Sequence, residues 1–118
     1  MQTAKQKGAF DEFSDIVTGT TANSYPTDPQ FEWVAPYLNS RHIFIFNTGT
    51  DDLLYKVEVQ LHKFSTRVPI LIPELLLAAG TLGEVEIRSL YNNVLITLKS
   101  AVTDIPTTFA IEGLGSYA

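Results

Sequence analysis

The residues that could carry acid–base or metal chemistry are few, and the sequence spreads them apart. The chain has two histidines, His42 and His62, and no cysteine. The histidines lie on different predicted strands, so a metal site would form only if the fold brought both to an acid such as Glu58. Zinc sites need three or four convergent ligands, and no HxH or HExxH motif is present. We therefore predict no metal and no cofactor.

Pairs of carboxylates are the next candidates for general acid–base chemistry. Glu84 and Glu86 alternate with apolar residues, which is typical of the solvent face of a strand. We expect them and Arg88 to pair with charged residues of neighbouring strands, including Lys56 and Lys99. No G-x-S-x-G nucleophile motif occurs, and the glycines do not form a phosphate-binding loop. These observations predict a protein that is not an enzyme. Four glycines are predicted to be turn residues: Gly80, Gly83, Gly113 and Gly115.

Aromatic residues offer a different kind of site. Trp33 with Tyr37, or Tyr25 with Tyr91, could form a stacking platform for a sugar, and Asn92 and Asn93 could supply polar contacts beside Tyr91. A carbohydrate-binding module would use Trp33, Tyr37 or Tyr91. An aromatic residue at strand spacing is more often part of a core or an interface. Both interpretations stay open at this point.

Composition narrows the classes of partner. The 118 residues carry thirteen acids against eight basic residues, a net charge of -5, without a basic cluster that would contact phosphates. We therefore predict no nucleic-acid partner. The longest apolar run, residues 68–79, is interrupted by Pro69 and Pro73, and no apolar segment follows Lys5 and Lys7. These features predict neither a membrane span nor a secretory signal.

The first thirty residues differ from the rest in being rich in Thr, Gly, Ser, Asp and Gln. We predict an N-terminal arm over residues 1–30, partly extended or disordered, and one domain over residues 31–118. The arm could dock on its own domain or on a partner, and both remain open. Its apolar anchors are the predicted docking residues: Phe10, Phe13, Ile16, Val17 and Tyr25.

Alternating apolar and polar residues predict the fold of the domain. A β-hairpin is predicted over residues 81–100, and strands over 31–35, 53–61, 68–72 and 107–112. Residues 73–80 could form one helical turn, framed by proline and glycine, but the neighbouring pattern favours another strand. Residues 41–47 include four successive apolar residues, 43–46, which predicts the deepest strand, covered on both faces. Residues 113–118 are predicted to be a flexible tail. The fold class is therefore all-β: one antiparallel β-sandwich or small barrel of six to eight strands.

Part of the domain resembles small virion proteins of tailed bacteriophages, of the capsid decoration or cement type. The resemblance covers about 70 residues, at positions 42–113. It is carried by the strand and N-T-G-x-x-D turn of residues 42–53, by residues 77–80 with Glu84 and Val85, and by Tyr91 before residues 94–100.

This resemblance implies a structural role on a virion assembled in the host cytoplasm. The expected partner is the major capsid protein or another virion protein, and the expected state is a homo-oligomer with an arm that reaches across subunits. The alternative is a carbohydrate-binding or receptor-binding module of a tail or fibre, which would use the surface aromatics.

Overall fold

The computed structural model describes residues 11–35, 37–61, 66–69, 74–88 and 91–116, and these residues form ten antiparallel strands and no helix. None of them belongs to a helix that could cross a membrane. The predicted all-β sandwich is confirmed. The strands are β1 (Asp11–Phe13), β2 (Val17–Thr20), β3 (Phe31–Val34), β4 (Ser40–Asn47), β5 (Leu53–Gln60), β6 (Val68–Pro69), β7 (Leu75–Leu77), β8 (Leu82–Ile87), β9 (Asn93–Ser100) and β10 (Thr108–Ser116).

The strands form two five-stranded sheets that pack face to face. In sheet 1, β10 lies beside β4, and β4 lies beside β8. Both β1 and β2 pair with the outer side of β10, one after the other along it. In sheet 2 the order is β3, β9 and β5, with β6 and β7 both paired to the far side of β5. Two strands beyond the predicted eight, β1 and β2, come from the segment predicted to be an arm.

The core lies between the sheets and follows the predicted alternation. Tyr55, Val57 and Val59 of β5 point inward, as expected, against apolar residues of β4, β9 and β10. Leu61, predicted to continue this face, lies just beyond the strand and is exposed. The segment after Pro73, predicted to be a strand and not a helical turn, contains β7, so this prediction is confirmed.

The predicted hairpin over residues 81–100 is wrong. β8 pairs with β4 in sheet 1, whereas β9 lies between β3 and β5 in sheet 2. The chain therefore crosses between the sheets after β8. All residues of β9 except Lys99 are buried, so β9 is the deepest strand. In β4, by contrast, inward residues alternate with half-exposed ones such as Phe44, and the predicted cover on both faces is also wrong.

The predicted flexible tail is wrong for residues 113–116, because β10 continues to Ser116, and residues 117 and 118 lie outside the described residues. Gly113 and Gly115 lie on its buried inner face, where a Cβ would come within 2.6 Å of Trp33 and 2.5 Å of Leu38, respectively. These glycines therefore admit large side chains from the opposite side of the sandwich. Gly83 also lies in a strand, and of the four predicted turn glycines only Gly80 has a left-handed backbone, with φ of 71°.

Candidate interaction edge

Four of the eight predicted site residues meet at one edge of the sandwich. Phe13 lies on β1, Ile16 directly precedes β2, Val17 begins β2, and Trp33 lies on β3. β1 and β2 border sheet 1, and β3 borders sheet 2 on the same side of the molecule. Phe10 falls outside the residues that the structure describes.

A cleft of about 280 Å³ separates the two borders. We call it the edge cleft. Its walls combine apolar side chains with two carboxylates, and the residues that line it are Phe13, Ser14, Asp15, Val17, Phe31, Glu32 and Trp33.

A break between β1 and β2 shapes one wall of this cleft. Ser14 leaves the regular strand pairing, and its backbone N–H donates to the carbonyl of Gly113 at 2.9 Å. Its hydroxyl accepts a hydrogen bond from the N–H of Gly113 at 2.8 Å. The side chain thus satisfies a backbone donor that the interrupted ladder leaves open.

The apolar residues at this edge differ in burial. Val17 is half-buried and packs on the core. The side chains of Phe13, Ile16 and Val34 are 70%, 64% and 56% exposed. Phe13 lies opposite Leu114 on the outer face of sheet 1, whereas Val34 lies on the outer face of sheet 2, so these residues flank the edge from both sides. We interpret their exposure as that of a contact surface. We call these three residues the edge patch.

The border strand of sheet 2 has one unpaired side. Within the described part of the chain, β3 pairs with β9 alone. An edge strand presents a row of N–H and C=O groups on its open side, which is a template for another strand. That row lies beside the edge cleft.

Acidic residues dominate the charge of this edge. Asp15 and Glu32 line the cleft. Glu32 accepts a hydrogen bond from the side-chain amide of buried Asn93. Glu12 of β1 accepts from the hydroxyl of Tyr37, with O–O distances of 2.6 and 2.8 Å to its two carboxylate oxygens. That bond ties the chain after β3 to the first strand of sheet 1.

Arg41 holds the base of the edge together, a role that the sequence analysis did not predict. Its side chain is 1% exposed, and its guanidinium donates to the carbonyl oxygens of Trp33, Ala35 and Tyr91. The guanidinium also lies over the Trp33 ring, 5.7 Å from its centroid. Burial lowers the pKa of Arg41 to about 10, against the opposing influence of Tyr37 and Glu12. The planar guanidinium suits this site because its several N–H donors can bond carbonyl oxygens of three chain segments at once.

Tyr25 docks away from this edge, on the outer face of sheet 2. Its ring lies between Lys56 and Lys99, with Nζ atoms 4.8 and 5.0 Å from the ring centroid. Its hydroxyl donates to Glu74 at 2.8 Å. Burial raises the pKa of Tyr25, and the bond to Glu74 raises it further. This part of the predicted arm therefore docks on its own domain.

The three aromatics predicted as a stacking platform do not share one exposed surface. Trp33 is 8% exposed and meets Phe31 edge to face, with ring centroids 6.5 Å apart. Tyr91 is half-buried against the core. Tyr37 has an exposed ring.

The residues considered for acid–base or metal chemistry are also separated. His42 pairs with Glu84 at 2.9 Å on the outer face of sheet 1, whereas Glu58 belongs to sheet 2. His62 lies outside the described residues, among which no three His, Cys, Asp or Glu side chains form a metal-binding group. Arg88, directly after β8, pairs with Glu86 at 2.8 Å. The expected pairing of Glu84 and Glu86 with Lys56 and Lys99 is wrong, because those lysines lie in the other sheet.

Comparison of the sequence with protein-family models and with curated proteins gives no significant match. Among solved structures, the chain is similar to a protein of Bacillus endospore appendages, described as a novel family of disulfide-linked pili. The identity is 11% over 92% of this chain and 88% of that chain, with a TM-score of 0.54. This sequence has no cysteine, so it has no counterpart of the disulfide linkage.

Two further structures show the same kind of likeness. The SPBc2 prophage-derived protein YomS is 14% identical over 86% of this chain and 95% of that chain, with a TM-score of 0.52. The Yersinia pseudotuberculosis-derived mitogen is 7% identical over 86% of this chain and 84% of that chain, with a TM-score of 0.51. At these identities the likeness concerns the fold, and it shows that proteins with very different sequences share this arrangement of strands.

Proposed function

We propose that this chain is a non-enzymatic structural protein that assembles into a larger particle through its edge patch. The observation that carries the proposal is the exposure of Phe13, Ile16 and Val34 beside an unpaired strand. Leaving large apolar side chains in water forgoes roughly 1.5–3 kcal/mol each relative to full burial, which a partner surface would recover.

The specific form that we propose is decoration or cementing of a tailed-phage capsid, with the major capsid protein as partner. The resemblance of residues 42–113 to such proteins supports it, and so does the sandwich fold. A virion location follows from this proposal.

A homo-oligomeric state is supported by a second exposed apolar set on the opposite edges of the two sheets: Leu75, Leu76 and Leu82. Because the two sets lie on opposite sides, a contact between them would join copies head to tail. Such contacts generate rings or open chains.

Val34→Asp tests the role of the edge patch, and Val102→Asp is its matched control. Val102 is 54% exposed, much like Val34. It follows the last residue of β9, whereas Val34 pairs with the first residue of that strand. We expect both variants to fold, and only Val34→Asp to lose co-sedimentation with capsids of the source phage that lack this protein. Light scattering after size exclusion would report the oligomeric state. Equal capsid binding by Val34→Asp and wild type would contradict the proposal, as would a chain that binds no capsid.

The alternative proposal, a carbohydrate-binding or receptor-binding module of a tail or fibre, retains one favourable observation. The exposed Tyr37 ring is fixed through its hydroxyl by Glu12, which would preorganise it for stacking. Saturable glycan binding that is lost in Tyr37→Ala but kept in Val34→Asp would favour this alternative over capsid binding.

A further inference from the structure

The open side of β3 has a defined pattern of side chains. Phe31 and Trp33 point into the core, whereas Glu32 and Val34 point outward. A strand added beside β3 would place its own side chains alternately toward the edge cleft and beside Glu32 and Val34. The pattern therefore specifies what an added strand must carry on each face.

The inward-facing positions of an added strand would enter the edge cleft. The cleft is lined by Phe13 and Val17 on the side of sheet 1 and by Trp33 on the side of sheet 2. These walls suit an aliphatic side chain. Such a side chain would cover apolar surface of both sheets, and the main chain of the strand would satisfy the open row of β3.

The outward-facing positions favour a cation. Glu32 points outward from β3, and two further acids, Asp15 and Glu12, lie across the cleft on the side of sheet 1. Arg41 at the base of this edge is buried, and its guanidinium donates to three carbonyls. A lysine or arginine opposite Glu32 would form a cross-strand charge pair.

The same charges disfavour β3 of a second copy as the added strand. Two copies of β3 in antiparallel pairing would bring the acidic edges of both molecules together, and like charges in facing strands are destabilising. The described basic residues of the chain are also engaged elsewhere: Lys56 and Lys99 with Tyr25, Arg67 with the carbonyl of Thr27, and Arg88 with Glu86.

We propose that β3 is extended by a strand from a partner protein, an extended segment in which aliphatic residues alternate with lysine or arginine. The aliphatic residues enter the edge cleft, and a basic residue pairs with Glu32. This inference rests on the proposed structural function and names the chemistry of the segment that its partner would supply.

Synthetic peptides test the proposal on the full chain. The probe is an acetylated and amidated nonapeptide of alternating valine and lysine, and the comparison peptide has glutamate in place of lysine. Trp33 is the only tryptophan of the 118 residues and lines the cleft, so its fluorescence reports occupancy. We expect saturable binding of the lysine peptide, with amide shifts in residues 31–34, and none of the glutamate peptide. N-methylation of the backbone on the strand-facing side should abolish binding.

Glu32→Gln should weaken binding of the lysine peptide by about two- to fivefold, as expected for an exposed cross-strand charge pair. Glu86→Gln, on the free edge of the other sheet, is the control and should bind as wild type does. Equal binding of the lysine and glutamate peptides, or equal effects of the two substitutions, would overturn the proposal. Capsid binding that depends on Val34 without any peptide binding would refute this inference and leave the proposed function standing. Peptide binding without any capsid binding would refute capsid decoration and leave this inference standing.

Discussion

Gly113→Ala should destabilise the protein, because the edge depends on close contact between β10 and Trp33. A Cβ at residue 113 would lie 2.6 Å from Cζ3 and 2.9 Å from Cε3 of the indole. The ring is confined, since the Arg41 guanidinium lies over its face and Phe31 meets it edge to face. The added methyl group must therefore displace either the ring or the strand.

The size of the effect follows from two opposing contributions. Overpacking of a close-packed core costs about 1–3 kcal/mol. Replacing glycine by alanine also reduces the freedom of the unfolded chain, which stabilises by about 0.4–1 kcal/mol where the backbone permits it. The backbone of Gly113 is outside the left-handed region, so this gain applies. We expect a net loss of about 1–2 kcal/mol in the free energy of unfolding, measured by urea denaturation.

A double-mutant cycle with Trp33→Phe distinguishes this contact from a general loss of stability. The smaller ring removes the atoms that the new methyl group would meet, so Gly113→Ala should cost less in that background. Gly83→Ala is the control, because its Cβ would lie 3.3 Å from a terminal methyl group of Leu77, and it should change stability by less than about 0.5 kcal/mol. An unchanged or increased stability of Gly113→Ala, or the same penalty in both backgrounds, would refute this reasoning.

Three further predictions concern buried polar groups. Arg41→Lys should lower the free energy of unfolding by about 1.5–3 kcal/mol in urea denaturation, because one ammonium cannot reach all three carbonyls; a loss below 0.5 kcal/mol would contradict the bridging role. Asn47→Ala should cost about 2–3 kcal/mol in the same assay, since its amide donates to the carbonyls of Asp51 and Leu77 and accepts from Thr107; wild-type stability would show these bonds to be dispensable. Burial raises the pKa of Tyr55, so the stability that its protonated form supplies is present below about pH 10 and is lost as the pH rises above it. Tyr55→Phe should therefore make the alkaline decline of stability shallower, and parallel curves would contradict this.

Period-two alternation predicted where strands lie and which face of β5 is buried, because both depend on local sequence. It did not predict which sheet each strand joins. β8 and β9 follow each other closely and both alternate, as a hairpin would, yet they lie in opposite sheets. The two strands differ in the burial of the face that points away from the core. This face is exposed in β8 and buried in β9, because the chain around Tyr25 and Gln30 docks on sheet 2 beside β9. That contact joins residues about seventy positions apart.

The edge was harder to predict, since its features depend on interrupted patterns. The break at Ser14 separates Phe13 from Val17, so alternation in the arm does not show which residue turns inward. Gly113 and Gly115 have the composition of a flexible tail, and only the indole facing them explains why glycine is required in a strand. Arginine is ordinarily exposed, and Arg41 is buried because its guanidinium donates to three backbone carbonyls, one of β3 and two of loops.

Two border strands, β8 of sheet 1 and β3 of sheet 2, differ in how strongly they oppose the addition of another strand. β8 borders sheet 1 with Glu84, Glu86 and Arg88 on its exposed face, and each of them takes part in an ion pair within sheet 1. Charged residues along an edge strand oppose addition of another strand. β3 has a single outward charge, Glu32, next to exposed Val34 and a cleft with apolar walls. Because β8 is protected by charge and β3 carries little charge, we expect the proposed strand addition at β3 and not at β8.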